Sequence, residues 1–289
     1  MNNVNLQNAS DADGGEFWGI SPLCDEDVLR YLQFARELAL DVGKLLREGY
    51  YRHREIAKKS DRELVTSADI AAEKFIRERI SLEFPGHKIL SEELGGEQVM
   101  DVSDLWVVDP LDGTNNFAHG FPVFAVSIAY VHRGHIDVGV VYDPLRNEMF
   151  SASSRGDAYL NGEKIAVSGI DELSQALLAT GFPYERAPGT DNNLNHFIKF
   201  WYSAQGIRRA GSAALDLCYV AAGRLDGFWE LKLRPWDMAA GALIAKKAGA
   251  VVTDFAGKPW SMKSDRIVAA NEKIHAQMLE VLAKNEPQI

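Results

Sequence analysis

The sequence predicts a mixed α/β fold in which sheets and helices are stacked in layers. The first half opens with a long helical pattern and continues into short apolar segments separated by turn residues, which is typical of a strand meander. The second half alternates helical and strand segments. Hydrophobic residues make up 46% and charged residues 25% of the 289 residues, as in globular chains that bury a sizeable core. This length allows one large domain or two intimate halves, and we find no internal repeat.

The first helix is predicted from apolar residues that recur at steps of three and four. Asp25, Glu26 and Asp27 lie at its start, where the helix dipole favours negative charge. Residues 1–22 are rich in Asn, Asp, Ser and Gly, so we expect a flexible arm outside the core. The recurring apolar residues are Val28, Leu32, Ala35, Leu38, Val42, Leu45 and Leu46.

The segment from Tyr51 to Arg62 is polar and basic and has no apolar period, so it is expected to be a loop. Because it contains two lysines and a serine and precedes the segment with Asp69, we also expect it to act as a mobile lid near the substrate. A second helix is predicted from Ser67 to Phe84, where Pro85-Gly86 ends it.

Four strands are predicted in the remainder of the first half, separated by turn pairs such as Arg133-Gly134 and Asp143-Pro144. Asn161-Gly162 is a strong hairpin signal. The strands are Leu105 to Asp109, Val123 to Val131, Ile136 to Tyr142 and Glu148 to Ser151.

The second half is predicted to begin near residue 150, which divides the chain after its arm into residues 23–150 and 151–289. Its predicted helices are Asp191 to Tyr202, Ser212 to Ala222, Asp237 to Ala248 and a closing helix from Glu272. Its predicted strands are Gly227 to Glu230, Val251 to Thr253 and Ile267 to Ala270.

The net charge and the two cysteines indicate which binding partners and which cellular compartment to expect. The formal charge of −10 disfavours nucleic acid and anionic membranes. Cys24 and Cys218 lie far apart and in no metal-ligand spacing, which indicates a reducing compartment. The N-terminus does not resemble a secretory signal, and no segment approaches the roughly 18 apolar residues of a membrane helix. We therefore expect a soluble, cytoplasmic protein with neither a nucleic-acid nor a membrane partner.

The sequence excludes several common catalytic arrangements. It contains no Walker-type glycine loop, no Gly-x-Ser-x-Gly elbow and no His-Glu-x-x-His motif. His132 and His135 flank a predicted turn, so they are expected to decorate a hairpin rather than bind zinc. Trp201, Trp229 and Trp236 are expected in the core or in the wall of a cleft.

The most informative segment runs from Trp106 to Phe117 and reads WVVDPLDGTNNF. An apolar strand delivers Asp109 to its end, and Pro110 then forces a turn. Such a turn can bring the carboxylates of Asp109 and Asp112 and the carbonyl of Leu111 to one side. This all-oxygen set suits Mg²⁺.

Gly113 and Thr114 follow these oxygen ligands. Gly113 allows the backbone to approach a ligand closely, and if a helical turn begins there, the N–H groups of both residues form an anion site for a phosphate. Asp-Pro and Asp-Gly are also ordinary turn pairs, and for either pair in isolation this is the better explanation.

Together with three further segments, this string resembles the signature of the inositol monophosphatase family of lithium-sensitive, magnesium-dependent phosphatases. The resemblance covers about residues 26 to 285 and implies a layered αβαβα sandwich of the fructose-1,6-bisphosphatase type. It also implies phosphomonoesterase activity, inhibition by lithium and a homodimer. The further segments are Thr66-Ser67-Ala68-Asp69, Ser91-Glu92-Glu93 and Trp236-Asp237-Met238-Ala239-Ala240-Gly241.

The resemblance implies two or three Mg²⁺ ions per site. One is expected to bind Glu92, Asp109 and the carbonyl of Leu111, and a second Asp109, Asp112 and Asp237. Four carboxylates in one cleft could not all stay ionised without cations, which agrees with this ligand set.

The catalytic residues implied by the resemblance are Glu92, Asp69 and Thr114, with Asp69 orienting Thr114 so that it helps to position the attacking water. Each site residue also has a simpler explanation. Asp237 opens a helix, where Asp is a favoured N-cap. Thr66-x-x-Asp69 reads as a variant capping box, and Glu92 reads as a solvated loop carboxylate.

Two segments resemble the substrate side of the family, Gly206 to Ala214 and Phe228 to Asp237. They imply that Glu230 and the backbone at Ala213 contact polyol hydroxyls, whereas the simpler explanation of Glu230 is a strand-end carboxylate in water. The remaining expected substrate contacts are Asp112, Gly113, Thr114 and Asp237.

The expected substrate is a small phosphate monoester, with myo-inositol 1-phosphate first. The run around Asn115 resembles the inositol branch of the family more than the nucleotidase branch, because the nucleotidases favour Lys at the position of Asn115. Histidinol phosphate and fructose 1,6-bisphosphate remain open, because fold alone fixes substrate poorly. Some bacterial members of the family also act within transcription complexes on RNA. A non-enzymatic binding role is therefore the alternative to phosphatase activity. The sequence has no basic stripe that would support RNA binding.

Overall fold

The computed structural model describes residues 23–51, 56–58, 64–92, 102–184 and 190–284. The predicted N-terminal arm lies outside these residues, as does most of the predicted loop and lid from Tyr51 to Arg62. Within that segment the loop prediction is wrong for the described residues, because Tyr51 ends a helix and Ile56–Lys58 forms a strand that pairs with Leu64–Thr66.

Seven α-helices lie in the described residues. They are α1 Asp25–Tyr51, α2 Ser67–Glu83, α3 Thr114–His119, α4 Leu194–Trp201, α5 Ala213–Ala221, α6 Pro235–Lys247 and α7 Glu272–Ala283. None of them combines the length and the apolar character that crossing a bilayer requires.

Fourteen strands form three sheets within the same residues. The two-stranded sheet consists of β1 Ile56–Lys58 and β2 Leu64–Thr66. The seven-stranded sheet consists of β3 Lys88–Ser91, β4 Asp104–Asp112, β5 Ala125–His132, β6 His135–Asp143, β7 Glu148–Ser153, β8 Ala158–Leu160 and β9 Glu163–Lys164 in chain order. The five-stranded sheet consists of β10 Leu177–Thr180, β11 Gly206–Arg208, β12 Gly227–Leu231, β13 Val251–Thr253 and β14 Arg266–Ala270, with spatial order β11-β10-β12-β14-β13.

These elements stack in five layers. Helices α1 and α2 cover one face of the seven-stranded sheet, and α5 and α6 pack between its other face and the five-stranded sheet. Helices α4 and α7 cover the outer face of the five-stranded sheet. This order confirms the predicted mixed α/β fold and the layered αβαβα sandwich.

Alternate residues along each central strand face opposite sides of the sheet, so one strand contributes apolar side chains to two cores. In β4, Leu105 and Val107 face α5 and α6, whereas Trp106 and Val108 face α1 and α2. A strand buried on both faces needs apolar residues at nearly every position, which explains the continuous apolar run in β4. The seven-stranded sheet extends past residue 150 to Lys164, and the boundary between two halves stays a prediction.

Sequence patterns missed β3, β10 and β11, which are only three or four residues long. Segments of this length are too short to establish a period of two. The prediction for Trp201 is also wrong, because its side chain is 64% exposed at the end of the outer helix α4. Trp229 is buried in the core and Trp236 lines a cleft, as predicted.

Candidate active site

A β-bulge at the end of β4 presents two carboxylates. The register with β5 shifts between Asp109 and Asp112, so Pro110 and Leu111 form the bulge. The N–H of Leu111 donates to Oδ1 of Asp109 at 3.0 Å. The prediction that Pro110 ends the strand is therefore wrong: β4 continues to Asp112, because a bulge tolerates the missing proline N–H.

Gly113 and Thr114 begin α3, as the sequence predicted for a helical turn. Gly113 has φ +98°, and a methyl group there would lie 2.9 Å from the carbonyl oxygen of Val123, so this position requires glycine. The side-chain amide of Asn116 donates to the carbonyls of Val123 and Ala210, both at 2.8 Å. These bonds connect the start of α3 to the segment before α5.

Asp69 caps a helix and also contacts Thr114. Its Oδ2 accepts from the N–H of Thr66 at 2.8 Å, and its own N–H donates to Oγ1 of Thr66 at 3.4 Å, which forms the capping box of α2. Oγ1 of Thr66 also lies 2.5 Å from Oδ2 of Asp69. Oδ1 of Asp69 lies 3.1 Å from Oγ1 of Thr114, which also lies 3.0 Å from the carbonyl of Leu111. A hydroxyl group has one proton, so Thr114 donates to one of these acceptors at a time.

Asp112 is held by the start of α5. Ser212 Oγ donates to Oδ2 of Asp112 at 2.5 Å, and the N–H of Ala214 donates to the same oxygen at 2.9 Å. Burial raises the pKa of Asp112 to about 6, although these bonds and one from the N–H of Ala213 oppose the shift. Sequence analysis did not name Ser212 as a site residue, although it begins a predicted helix and lies within the predicted substrate-side segment Gly206 to Ala214.

Asp237 lies one turn inside α6 rather than at its N-cap. The helix begins at Pro235, a residue favoured in the first turn, so Arg234 is the N-cap. Oδ2 of Asp237 accepts from the N–H of Arg234 at 2.7 Å. The predicted N-cap is therefore wrong by three residues, and the carboxylate of Asp237 still accepts from the backbone N–H at the helix start.

Burial and neighbouring carboxylates raise the pKa values of Asp109 and Asp237. Asp109 is 2% exposed, and its pKa lies well above the ordinary value because of burial first and then the charges of Glu92, Asp112 and Asp237. Burial also raises the pKa of Asp237, with Asp112, Glu92 and Glu230 adding to the shift and the bond from Arg234 opposing it. The four carboxylates therefore share one electrostatic environment.

A cleft of about 970 Å³ collects these groups. Every predicted site residue lines it except Asp69, which reaches it through Thr114. Glu92 is half-buried in the wall after β3, so it is not a fully solvated loop carboxylate. The predicted residues that line the cleft are Glu92, Asp109, Leu111, Asp112, Gly113, Thr114, Ala213, Glu230 and Asp237.

Glu230 lies on β12 and is 8% exposed, so the explanation as a strand-end carboxylate in water is wrong. Burial raises its pKa to about 8, with further contributions from Asp216 and Asp112 and an opposing one from Arg209. Arg209 also lines the cleft, together with Lys232 and Arg234. These cations partly offset the negative charge that a phosphate would meet there.

The donor set fits Mg²⁺. Carboxylate and carbonyl oxygens are the ligands of this hard cation, and clustered carboxylates with raised pKa values are stabilised as anions when a cation binds. Among the described residues, no group of three or more His, Cys, Asp or Glu side chains is already arranged to hold a metal ion. Mg²⁺ keeps several of its waters and is usually bound through one or two carboxylates, so a preformed group of this size is not required.

The comparison with known proteins agrees with this arrangement. The sequence pattern of the inositol monophosphatase family matches residues 27–286. The chain belongs to the inositol monophosphatase family. It is accordingly a phosphoric monoester hydrolase, of a family that is generally metal-dependent.

The chain is similar over most of its length to relatives that carry two different names, inositol-1-monophosphatase and Nus factor SuhB. An inositol-1-monophosphatase from Synechocystis is 43% identical over 258 residues, which span 89% of this chain and 90% of the relative. The Nus factor SuhB of Vibrio cholerae is 45% identical over 228 residues, 79% of this chain and 85% of the relative. The solved structure of inositol monophosphatase from Anabaena has a TM-score of 0.82 at 40% identity and covers 91% of this chain and 98% of its own.

Proposed function

We propose that the protein hydrolyses a small polyol phosphate, with myo-inositol 1-phosphate as the first candidate, and that the reaction depends on Mg²⁺. The observation that carries this proposal is one cleft lined by Glu92, Asp109, Asp112 and Asp237 together with the carbonyl of Leu111. Only cations let such a cluster hold a phosphate ester. The family membership supports the phosphatase chemistry.

Separate groups of side chains bind the metal ions and the phosphate, orient the water and contact the alcohol. We assign Glu92, Asp109 and Leu111 to one Mg²⁺ and Asp109, Asp112 and Asp237 to another; the bound ions would supply an activated water and stabilise charge on the leaving oxygen. The N–H groups of Gly113 and Thr114 bind the phosphoryl oxygens.

Water and alcohol are handled by separate residues. Asp69 aligns the hydroxyl of Thr114, which orients the attacking water together with Glu92. Glu230 and the backbone at Ala213, which both line the cleft, contact hydroxyl groups of the alcohol. Alcohol specificity is therefore separable from phosphate chemistry.

Phosphate release from a panel of monoesters tests the proposal. The panel contains inositol 1-phosphate, histidinol phosphate and fructose 1,6-bisphosphate, each with Mg²⁺ and with EDTA. We expect the highest kcat/KM for inositol 1-phosphate and no release in EDTA. A clear preference for histidinol phosphate or the bisphosphate would replace the substrate assignment while keeping the chemistry.

A second candidate function is a binding role in transcription, which is favoured by the relatives named Nus factor SuhB at 43% to 45% identity. Under this alternative the cleft would be dispensable. Absence of phosphate release from every ester in the panel would favour the binding role. We further propose a cytoplasmic homodimer, which size-exclusion chromatography with light scattering would test.

A further inference from the structure

Gly181 lies beside Glu230 in the five-stranded sheet. Strands β10 and β12 run parallel with Thr180 opposite Trp229, so the next residues along, Gly181 and Glu230, are neighbours on one face. A methyl group built at Gly181 would overlap both oxygens and the Cδ of Glu230. The φ of Gly181 is outside the left-handed region, so a methyl group there is opposed by the carboxyl group of Glu230, which would have to move, and not by the backbone conformation.

Behind this pair, Asn193 joins the ends of the two strands. Its Nδ2 donates to the carbonyl of Gly181 at 2.6 Å and to Oγ1 of Thr180 at 2.8 Å. Its Oδ1 accepts from Nε1 of Trp229 at 2.9 Å. The hydroxyl of Thr180 donates to the carbonyl of Trp229 at 2.6 Å, and all three side chains are buried. Both N–H bonds of the amide are thus used within the protein.

The side chain of Asn193 makes these bonds and does not cap its own helix. It is the N-cap of α4, yet its side chain forms no cap hydrogen bond, and its φ is +71°. Asn is favoured at N-caps because its side chain normally accepts from the first turn of the helix. A left-handed N-cap with an inward side chain indicates that the surrounding structure requires the amide in the sheet.

Successive residues of β10 and β12 face opposite sides of the sheet, one toward Asn193 and the outer core and the next toward the cleft. Trp229 faces the outer core of α4 and α7, together with Thr180, which shares the Asn193 amide. Gly181 and Glu230, one residue further along each strand, line the cleft. The hydrogen bonds therefore fix the backbone from behind, and the missing side chain of Gly181 leaves the space in front.

We propose that Gly181 and Asn193 are positioning residues for Glu230 and thereby determine which alcohols the cleft accepts. The carboxyl group lies against the bare backbone of Gly181, and Asn193 prevents that backbone from shifting. A carboxyl group held in one place selects phosphate esters of polyols whose hydroxyls reach it. This inference rests on the proposed contact between Glu230 and substrate hydroxyls.

The test compares Gly181→Ala with the unmodified enzyme on two esters in Mg²⁺. We expect kcat/KM for inositol 1-phosphate to fall about tenfold, mainly through KM, because the methyl group displaces the carboxyl group. Hydrolysis of 4-nitrophenyl phosphate, which has no such hydroxyls, should change less than about twofold. Gly169→Ala is the matched control, since a methyl group there meets no atom within 4 Å.

A double mutant shows whether Gly181 acts through Glu230. In a Glu230→Ala background the overlapped atoms are gone, so adding Gly181→Ala should cause no further loss on inositol 1-phosphate. An equal loss on both esters, or full additivity in the double mutant, would overturn the positioning role. If Glu230→Ala itself leaves the polyol ester unaffected, the proposed function of Glu230 fails first.

Asn193→Ala supplies an independent measurement. It removes the donors to Gly181 and Thr180 and the acceptor for Trp229. We expect the same selective loss on the polyol ester, not additive with Gly181→Ala. An equal loss on the aryl ester in a folded protein would mean that Asn193 only stabilises the fold. Should Asn193→Ala fail to fold, Gly181→Ala and its double mutant decide the question.

Discussion

Asp109 is nearly buried at the bulge of β4, where burial and three neighbouring carboxylates raise its pKa. Asp109→Asn keeps the shape of the side chain and removes the charge that both proposed ions share. We expect kcat to fall about a thousandfold or more, because metal assistance lowers the barrier by several kcal/mol. Steady-state kinetics with saturating Mg²⁺ measures this loss.

The stability of the same variant separates catalysis from folding. Removal of one buried, clustered carboxylate relieves burial and like-charge repulsion, so unfolding in EDTA should show no large drop in Tm. Asp171→Asn, at an exposed position on the surface, is the control for kcat. Normal turnover by Asp109→Asn would remove Asp109 from the site.

Glu230 is the residue at which we expect substrate choice. Loss of a buried group that bonds two hydroxyls is worth about 1.5 to 3 kcal/mol, so Glu230→Ala should lower kcat/KM for inositol 1-phosphate by about ten- to a hundredfold. Because the pKa of Glu230 is raised to about 8, the group is protonated near pH 7, and Glu230→Gln should lose less than Glu230→Ala. Kinetics on both variants at pH 7 measure the difference, with 4-nitrophenyl phosphate as the reference ester.

At the scale of elements, the pairing of β4 with β5 includes a charged network at its outer end. Oδ1 of Asp104 accepts from the hydroxyl of Tyr130 at 2.6 Å and lies 2.8 Å from Nδ1 of His132, and Oδ2 accepts from Ser103 at 2.7 Å. Burial alone would raise the pKa of Asp104, but these bonds hold it at about 2. His132, which was expected to decorate the hairpin at the Arg133-Gly134 turn, thus contacts Asp104 on the neighbouring strand β4.

This network predicts a pH-dependent contribution to stability. Since the folded pKa is below the unfolded value of 3.8, the contribution is present above about pH 4 and is lost as pH falls toward 2. The side chain of Asp104 is 27% exposed, so solvent screens part of this contribution, and Asp104→Asn should cost about 1 kcal/mol at pH 7. Urea unfolding at pH 7 and pH 3 measures this difference. A difference between the two proteins that grows at pH 3 would contradict the assigned pKa.

At the scale of the whole molecule, the site joins elements that are far apart in sequence. Asp109 and Asp112 come from β4, and Asp237 comes from α6, which packs between the two large sheets. Ions bound to both elements would connect the layers, and a ligand that binds only the folded state raises stability. At a Mg²⁺ concentration of about 100 Kd, this gain is about 2.7 kcal/mol.

We therefore expect Mg²⁺ to raise Tm by about 5 °C relative to EDTA, and activity to be restored in parallel. Thermal scans at increasing Mg²⁺ concentration measure the shift. Asp109→Asn should show little or none of it, since the shared ligand is removed. An unchanged Tm together with full activity in EDTA would exclude the proposed metal site. Ca²⁺ should inhibit, because it prefers a larger and looser coordination.

The sequence alone determined the type of each long element and identified the acidic residues that line the cleft. Long apolar periods predict α1 and the central strands because a segment that is buried repeatedly must repeat its apolar residues. Residues such as Asp109, Thr114 and Glu230 were predicted because local motifs carry them. Each of them lines the cleft.

Only the tertiary structure determined the contacts between distant segments. The bond from Ser212 to Asp112 spans 100 residues, and the fit of Glu230 against Gly181 depends on the register of β10 and β12. Short edge strands and a bulge at Pro110 likewise have no local signature. The physical reason is that local patterns record burial and backbone preference, whereas the position of one side chain against another is fixed only when whole layers pack together.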